Sequence, residues 1–165
     1  MDGDAILAAL RARFGGALAE THAHRGDHTA VVERGALLDV LRHCRDAAAL
    51  GFDMLMDLTA ADYSKFPGRE DGPRFEVVYH LYSVRHNHRL RVKARVSEDD
   101  PVVPTASGLW PIADWFEREV WDMFGVRFTG HPNLRRLLLY EEFVGHPLRK
   151  DYPINRRQPL IGPKI

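Results

Sequence analysis

From residue 89 to residue 96 the chain alternates without a break. Arg89, Arg91, Lys93 and Arg95 fall on one side, and Leu90, Val92, Ala94 and Val96 on the other. A two-residue period predicts a half-buried antiparallel strand with a basic outer face. Residues 75–84, rich in β-branched and aromatic side chains, predict its partner, with a turn at Arg85-His86-Asn87-His88 between them. Shorter apolar runs at 29–32 and 52–58 predict two further strands. Helical spacing appears in three places. Ile6, Leu7, Leu10 and Phe14 form a stripe that Asp4 can cap and Gly15-Gly16 can end. Leu37, Leu38, Leu41, Cys44 and Ala48 form a second stripe within residues 35–50, with Gly51 suited to the position just past the helix. Residues 114–124 form the third, carrying Trp115, Phe116, Val120, Trp121 and Phe124. Asp114 and Glu117 have capping-box spacing there, and Gly125 can end the helix. A proline-rich connector at 101–111 precedes it. The expected fold is α+β: a small antiparallel or mixed sheet with helices packed on it, followed by an extended C-terminal segment.

After Phe128 the periodicity stops. Residues 129–165 hold five of the ten prolines, among them Pro163, and seven positive charges, among them Lys164, against three negative, a net of +4. Leu134, Leu137, Leu138, Leu139, Phe143, Leu148 and Ile154 recur with no helix or strand period. A proline-broken, charged stretch with spaced apolar anchors is poor material for its own core and suits lying across another protein. The expected organisation is a folded unit over 1–128 and an extended, basic, partner-docking tail over 129–165.

Composition narrows the function. Lys+Arg and Asp+Glu number 23 each, so the 165-residue chain has no formal net charge, which argues against a wholesale nucleic-acid binder. One cysteine, Cys44, cannot supply the several thiolates of an iron–sulfur cluster or a thiolate zinc site, and its place on an apolar stripe reads as core. Met1-Asp2-Gly3-Asp4 lacks the positive charge that opens a secretory signal, and the longest uncharged run, 101–113, holds three prolines. No transmembrane span is expected.

Candidate chemistry is sparse. There is no phosphate-cradling glycine loop, nucleophile elbow or His-Glu-x-x-His helix. His22, His24 and His28, or His86 and His88, invite a metal, but nothing in their spacing supplies a third ligand, and turn or surface roles are expected. Glu117 and Glu119 on the third helix, two apart, face different ways. Arg118 and Asp122 have i,i+4 spacing, so a salt-bridged helix is the plainer expectation than an acid/base pair. The tail repeats Gly130-His131-Pro132 as Gly145-His146-Pro147, each followed by a basic doublet, Arg135-Arg136 and Arg149-Lys150. Two turns presenting arginines to fixed acidic groups fit that phrase. The basic strand face has two readings, a solvated surface or a docking face for an acidic partner.

From Trp110 onward the chain resembles the 30 kDa-type subunit family of proton-pumping NADH:quinone oxidoreductase, respiratory complex I. The phrases that carry the resemblance are Trp110-Pro111, Trp115-Phe116-Glu117-Arg118-Glu119, Asp122-Met123-Phe124-Gly125-Val126 and Phe128-Thr129-Gly130-His131-Pro132. Leu134-Arg135-Arg136 and Gly145-His146-Pro147-Leu148-Arg149-Lys150-Asp151-Tyr152-Pro153 follow in the family's order. The resemblance implies a component of an oxidoreductase with no active site, cofactor or metal of its own, FMN, iron–sulfur clusters and quinone lying in partner subunits. It implies packing on the quinone-site subunit and on neighbouring peripheral-arm iron–sulfur subunits, on the cytoplasmic side of the bacterial inner membrane. Glu117, Arg118, Glu119, Asp122, His131, Arg135, Arg136, His146, Arg149, Lys150 and Asp151 are its signature and expected partner-contact residues. Two alternatives stand beside it. One is the equivalent component of a membrane-bound nickel–iron hydrogenase or ferredoxin-linked relative. The other is a free-standing RNA-binding module using Arg89, Arg91, Lys93, Arg95 and the tail.

Overall fold

The alternating segment is the middle strand of the protein. The computed structural model describes residues 1–69 and 71–162; Pro163 and Lys164 lie outside the described residues. Its elements are α1 (Gly3–Phe14), β1 (Leu18–His24), β2 (Asp27–Val32), α2 (Leu37–Asp46), β3 (Met54–Asp62), β4 (Phe75–Ser83), β5 (His88–Val96), β6 (Val102–Pro104), α3 (Ala113–Phe124) and β7 (Arg127–Thr129). Five strands form one mixed sheet in the order β1-β2-β5-β4-β3, with β2 and β5 parallel and the other neighbours antiparallel. β4 and β5 pair over their whole length, from Phe75↔Val96 to Ser83↔His88. β6 and β7 make a separate parallel pair.

One face of the sheet is the core. Val77, Tyr79, Leu81, Leu90, Val92, Ala94 and Val96 meet Ile6 and Leu10 of α1, Leu37, Leu41 and Cys44 of α2, and Val120 and Met123 of α3 in a single buried cluster. Two layers around one core is the α+β fold that the pattern predicts. The opposite face carries the basic row, three of whose four cations pair with acids of other strands of the sheet, while Arg89 is exposed beside the Tyr82 ring. Arg91 pairs with Asp27, Lys93 with Glu76, and Arg95 with both Glu20 and Glu76. Arg69 adds a third cation to Glu76, whose side chain is 2% exposed. Burial alone would raise the Glu76 carboxyl, but the hydrogen bonds and charges of Lys93 and Arg69 prevail and hold it at about 2.

Local expectations shift in several places, the short strands β6 and β7 among them. Asp2, not Asp4, caps α1 through Ala5 N–H, while Asp4 meets His28. α2 ends at Asp46 because Ala47 turns extended; Gly51 is left-handed (φ +54°) in the following loop, where His86 approaches it. β1 is an additional edge strand whose polar, mostly exposed sequence gave no strand signal. α3 has no side-chain cap, since Glu117 points inward to the connector instead of forming a capping box with Asp114.

Candidate docking site

The third helix is the template on which the C-terminal segment is laid. At its first turn, the buried His131 ring bonds through Nε2 to the Asp114 carbonyl (3.1 Å), and its Nδ1 accepts from Asn133 N–H (3.0 Å). One turn on, Arg118 donates to the carbonyls of Arg135 (3.2 Å) and Arg136 (3.1 Å). Asp122, fully buried, gathers four donors. Arg136 reaches Oδ1 at 2.5 Å, and the N–H groups of Leu137, Leu138 and Leu139 reach Oδ2 at 3.1, 2.9 and 2.9 Å. Burial would push this carboxyl up, but those N–H groups and the guanidinium outweigh it and hold it below the usual range. The i,i+4 spacing of Arg118 and Asp122 is therefore not a salt bridge along the helix. Both side chains turn outward to hold 135–139, a stretch with no secondary structure to pair its own backbone.

At the far end, the segment finishes the helix. An α-helix leaves its last carbonyls without intrahelical partners. Here the carbonyl of Asp122 accepts from His146 Nδ1 (3.0 Å), that of Met123 from Leu148 N–H (3.1 Å), and that of Phe124 from Arg149 Nε (2.6 Å). Arg149 also brings positive charge to the negative end of the helix dipole. Gly125 makes this possible twice over. It is left-handed (φ +78°), and a Cβ there would fall 2.6 Å from Arg149 and 2.7 Å from His146. The chain then ties to the sheet. Lys150 offers its backbone N–H, not its ammonium, to Asp62 (2.8 Å), and Asp151 pairs with Arg74, which also holds Asp62 and Glu98. Those donors overcome the burial of Asp62 and lower its carboxyl well below the usual range, and the same acids raise Arg74 further above its own.

The sequence-marked residues therefore converge on one helix and the strap across it. His131, Arg136, His146, Arg149 and Asp151 have partners within this chain, whereas Glu119, the Arg135 side chain and the Lys150 side chain face solvent. Sequence reasoning missed Asp62 and Arg74, which sit on β3 and beside β4; their only signal was charge adjoining apolar strands. Leu134 and Leu139 pack partly against the main core. The outward side of the strap is mixed: Leu138 (61%), Val144 (56%), Leu148 (49%), Ile154 (103%) and Leu160 (102%) are exposed, interspersed with exposed Arg135, Glu141, Glu142, Lys150, Arg156 and Arg157. Among the described residues no group of three His, Cys, Asp or Glu side chains is placed to hold a metal, and no helix is long and apolar enough to cross a membrane. His86 and His88 instead bond to the carbonyls of Ala48 and Leu50.

Residues 30–158 match the family described as respiratory-chain NADH dehydrogenase, 30 Kd subunit. The chain belongs to that family. Relatives named as subunits of NADH-quinone oxidoreductase agree along most of its length. The one from Citrifermentans bemidjiense is 46% identical over 155 residues, covering 93% of this chain and 92% of its own. That from Azoarcus sp. is 50% identical over 133 residues, covering 79% and 66%. Among solved structures, the trypsin-resistant fragment of Nqo5 superposes with a TM-score of 0.71 at 33% identity, covering 81% of this chain and all of its own. A chain of the membrane-bound sulfane sulfur reductase, an archaeal respiratory membrane complex, also reaches 0.71 at 26% identity over 93% and 86%. In this member of the 30 Kd family the end of α3 and the second Gly-His-Pro stretch are joined directly, through the carbonyls of Asp122, Met123 and Phe124 and the donors of His146, Leu148 and Arg149.

Proposed function

We propose that this chain is a non-catalytic component of a proton-pumping NADH:quinone oxidoreductase. Residues 1–128 are its folding unit, and the strap over 129–162 presents a docking surface to the quinone-site subunit and adjoining peripheral-arm iron–sulfur subunits. FMN, the iron–sulfur clusters and quinone belong to those partners, and the assembly stands on the cytoplasmic side of the bacterial inner membrane. The chain supports electron transfer by holding its neighbours in place. The observation that carries this reading is what the strap leaves uncovered: His131, Arg136, His146 and Arg149 grip α3, while Leu138, Val144, Leu148, Ile154 and Leu160 stay exposed among charged side chains. Large apolar side chains left exposed within a polar surround are the composition of a protein–protein contact site. The NADH-quinone oxidoreductase relatives favour this complex over the hydrogenase-type alternative, the two named above being 46% and 50% identical against 26% for the archaeal reductase chain. The RNA-binding reading needs a row of free cations on β5, and three of its four, Arg91, Lys93 and Arg95, are already paired with acids, leaving Arg89 and the exposed cations of the strap.

The test places Ile154→Asp and Leu160→Asp together in the encoding gene and measures assembled complex and NADH-driven quinone reduction in membranes. Both should fall at least tenfold, while the purified variant keeps the wild-type unfolding midpoint. Full assembly of the double variant would refute the docking surface. NADH oxidation by the pure chain alone would refute the non-catalytic role.

A further inference from the structure

Among the described residues, Glu117 is the fully buried carboxyl of α3 with no cation to balance it. Asp122, further along the helix, has Arg136; Glu117 has only Ala106 N–H on Oε1 (2.6 Å) and the Thr105 hydroxyl on Oε2 (2.5 Å). The groups facing it can be named element by element. Its own helix offers Asp114, a second negative charge. The connector offers the uncharged hydroxyls of Thr105 and Ser107. β4 offers the Tyr79 hydroxyl, which is buried and has no hydrogen-bond partner among the described residues. The strap offers the His131 ring, fully buried, with Nε2 at 3.9 Å from Oε2. Among the described residues neither β3 nor β7 brings a Lys or Arg within ion-pair distance. His131 does not supply the missing charge either: its Nδ1 accepts the Asn133 N–H, so its single hydrogen sits on Nε2 and points to the Asp114 carbonyl.

An ionised carboxylate in a buried site, with two neutral donors and a like charge nearby, is unfavourable. A route for its proton is also present. Thr105 Oγ1 lies 2.8 Å from Ser107 Oγ, and Ser107 is half-buried, so two hydroxyls join the carboxyl to the surface. We propose that Glu117 is a proton-binding site, loaded through Thr105 and Ser107, whose occupancy sets how the strap begins. With the proton on Glu117, His131 stays on the Asp114 carbonyl and the turn at 130–133 is held as described. With the proton gone, the carboxylate competes for the same Nε2–H, draws the ring from Asp114, and loosens Asn133 from Nδ1. The first turn of the strap is thus a two-state element worked by one proton. This goes beyond the docking role and does not depend on it.

Burial, opposed by the Thr105 and Ala106 donors and aided by Asp114, lifts the Glu117 carboxyl to about 7. The sign follows. A carboxyl raised in the folded state stabilises most below its ordinary range near 4.5, and that contribution drains away as pH rises through 7.

The experiment is a pH titration of the purified full-length chain by NMR, with glutamate side-chain carboxyl carbons and backbone amides labelled. One glutamate should titrate about two pH units above the rest and vanish in Glu117→Gln, and the Asn133 amide should move with the same midpoint. In Glu117→Gln the Asn133 amide should lose that step. Thr105→Val, which removes a donor to the charged form, should move the midpoint up by about one unit, a tenfold change in proton affinity. The urea midpoint of Glu117→Gln should exceed the wild type at pH 8 and match it at pH 5. A glutamate absent from Glu117→Gln that titrates at or below the ordinary range of about 4.3 would overturn the proton site. A high-titrating Glu117 with an Asn133 amide that ignores it would overturn the switch. If Glu117→Gln does not fold, the Thr105→Val shift decides the first point and the wild-type Asn133 profile the second.

Discussion

Replacing Asp122 by alanine should release the strap without unfolding the sheet. The carboxylate is fully buried and holds Arg136 together with three successive backbone N–H groups. Hydrogen bonds to a charged group contribute about 1.5–3 kcal/mol each, but they share one acceptor and do not add. Breaking a buried ion pair by removing one partner costs about 3–5 kcal/mol, which is the better bound for the whole cluster. That energy acts on a segment lacking secondary structure, so it appears as local opening of residues 135–145. The open population should rise by roughly two to four orders of magnitude. Trypsin cleavage after Arg135 and Arg136, read by mass on the purified full-length protein, should accelerate accordingly, because cleavage tracks the open fraction when reclosing is fast. Asp122→Asn, which keeps an acceptor but loses the charge, should fall between. Glu119→Ala, on the exposed side of the same helix, should change the rate less than about threefold, as surface substitutions do. In the wild type the first cut should come at Arg156 or Arg157, both exposed. An Asp122→Ala protein cleaved after Arg135 no faster than wild type would mean that the strap is held by its leucines and the carboxylate is incidental.

Other consequences can be checked directly. Glu76 lies at about 2 against an ordinary 4.5, which corresponds to about 3 kcal/mol present above pH 4.5 and lost as pH falls through 2; the acid-unfolding curve of Glu76→Gln should be flatter than wild type, and an equal slope would refute the charge cluster. Cys44 is fully buried and burial lifts its thiol to about 12, so thiol reagents should label it only in denaturant; native labelling at the denatured rate would contradict its place in the core.

The sheet was far more legible in the sequence than the strap. β5 alternates through nine residues and β4 pairs with it along its full length, so local pattern and tertiary register coincide. The basic row was equally plain, yet its neutralisation was not, because Glu20, Asp27 and Glu76 come from three other strands and only the sheet order brings them beside it. β1 escaped because Glu20, His22 and His24 leave no apolar face on an edge strand, and β6 and β7 because three residues hold no period. The strap is stabilised by side chains of α3 reaching its backbone, a kind of contact that leaves no periodicity in the strap. Asp122 could be recognised as important from its phrase, but its spacing from Arg118 pointed along the helix when both side chains look away from it.

The finish of α3 has a temporal consequence. Residues 146–149, which satisfy its last carbonyls, are synthesised about twenty residues after the helix ends. A nascent chain whose helix is complete in sequence still carries three unanswered carbonyls at Asp122, Met123 and Phe124. Its final turn should fray until the strap arrives, so that end of the fold matures last, when the second Gly-His-Pro turn brings His146 and Arg149 to Gly125.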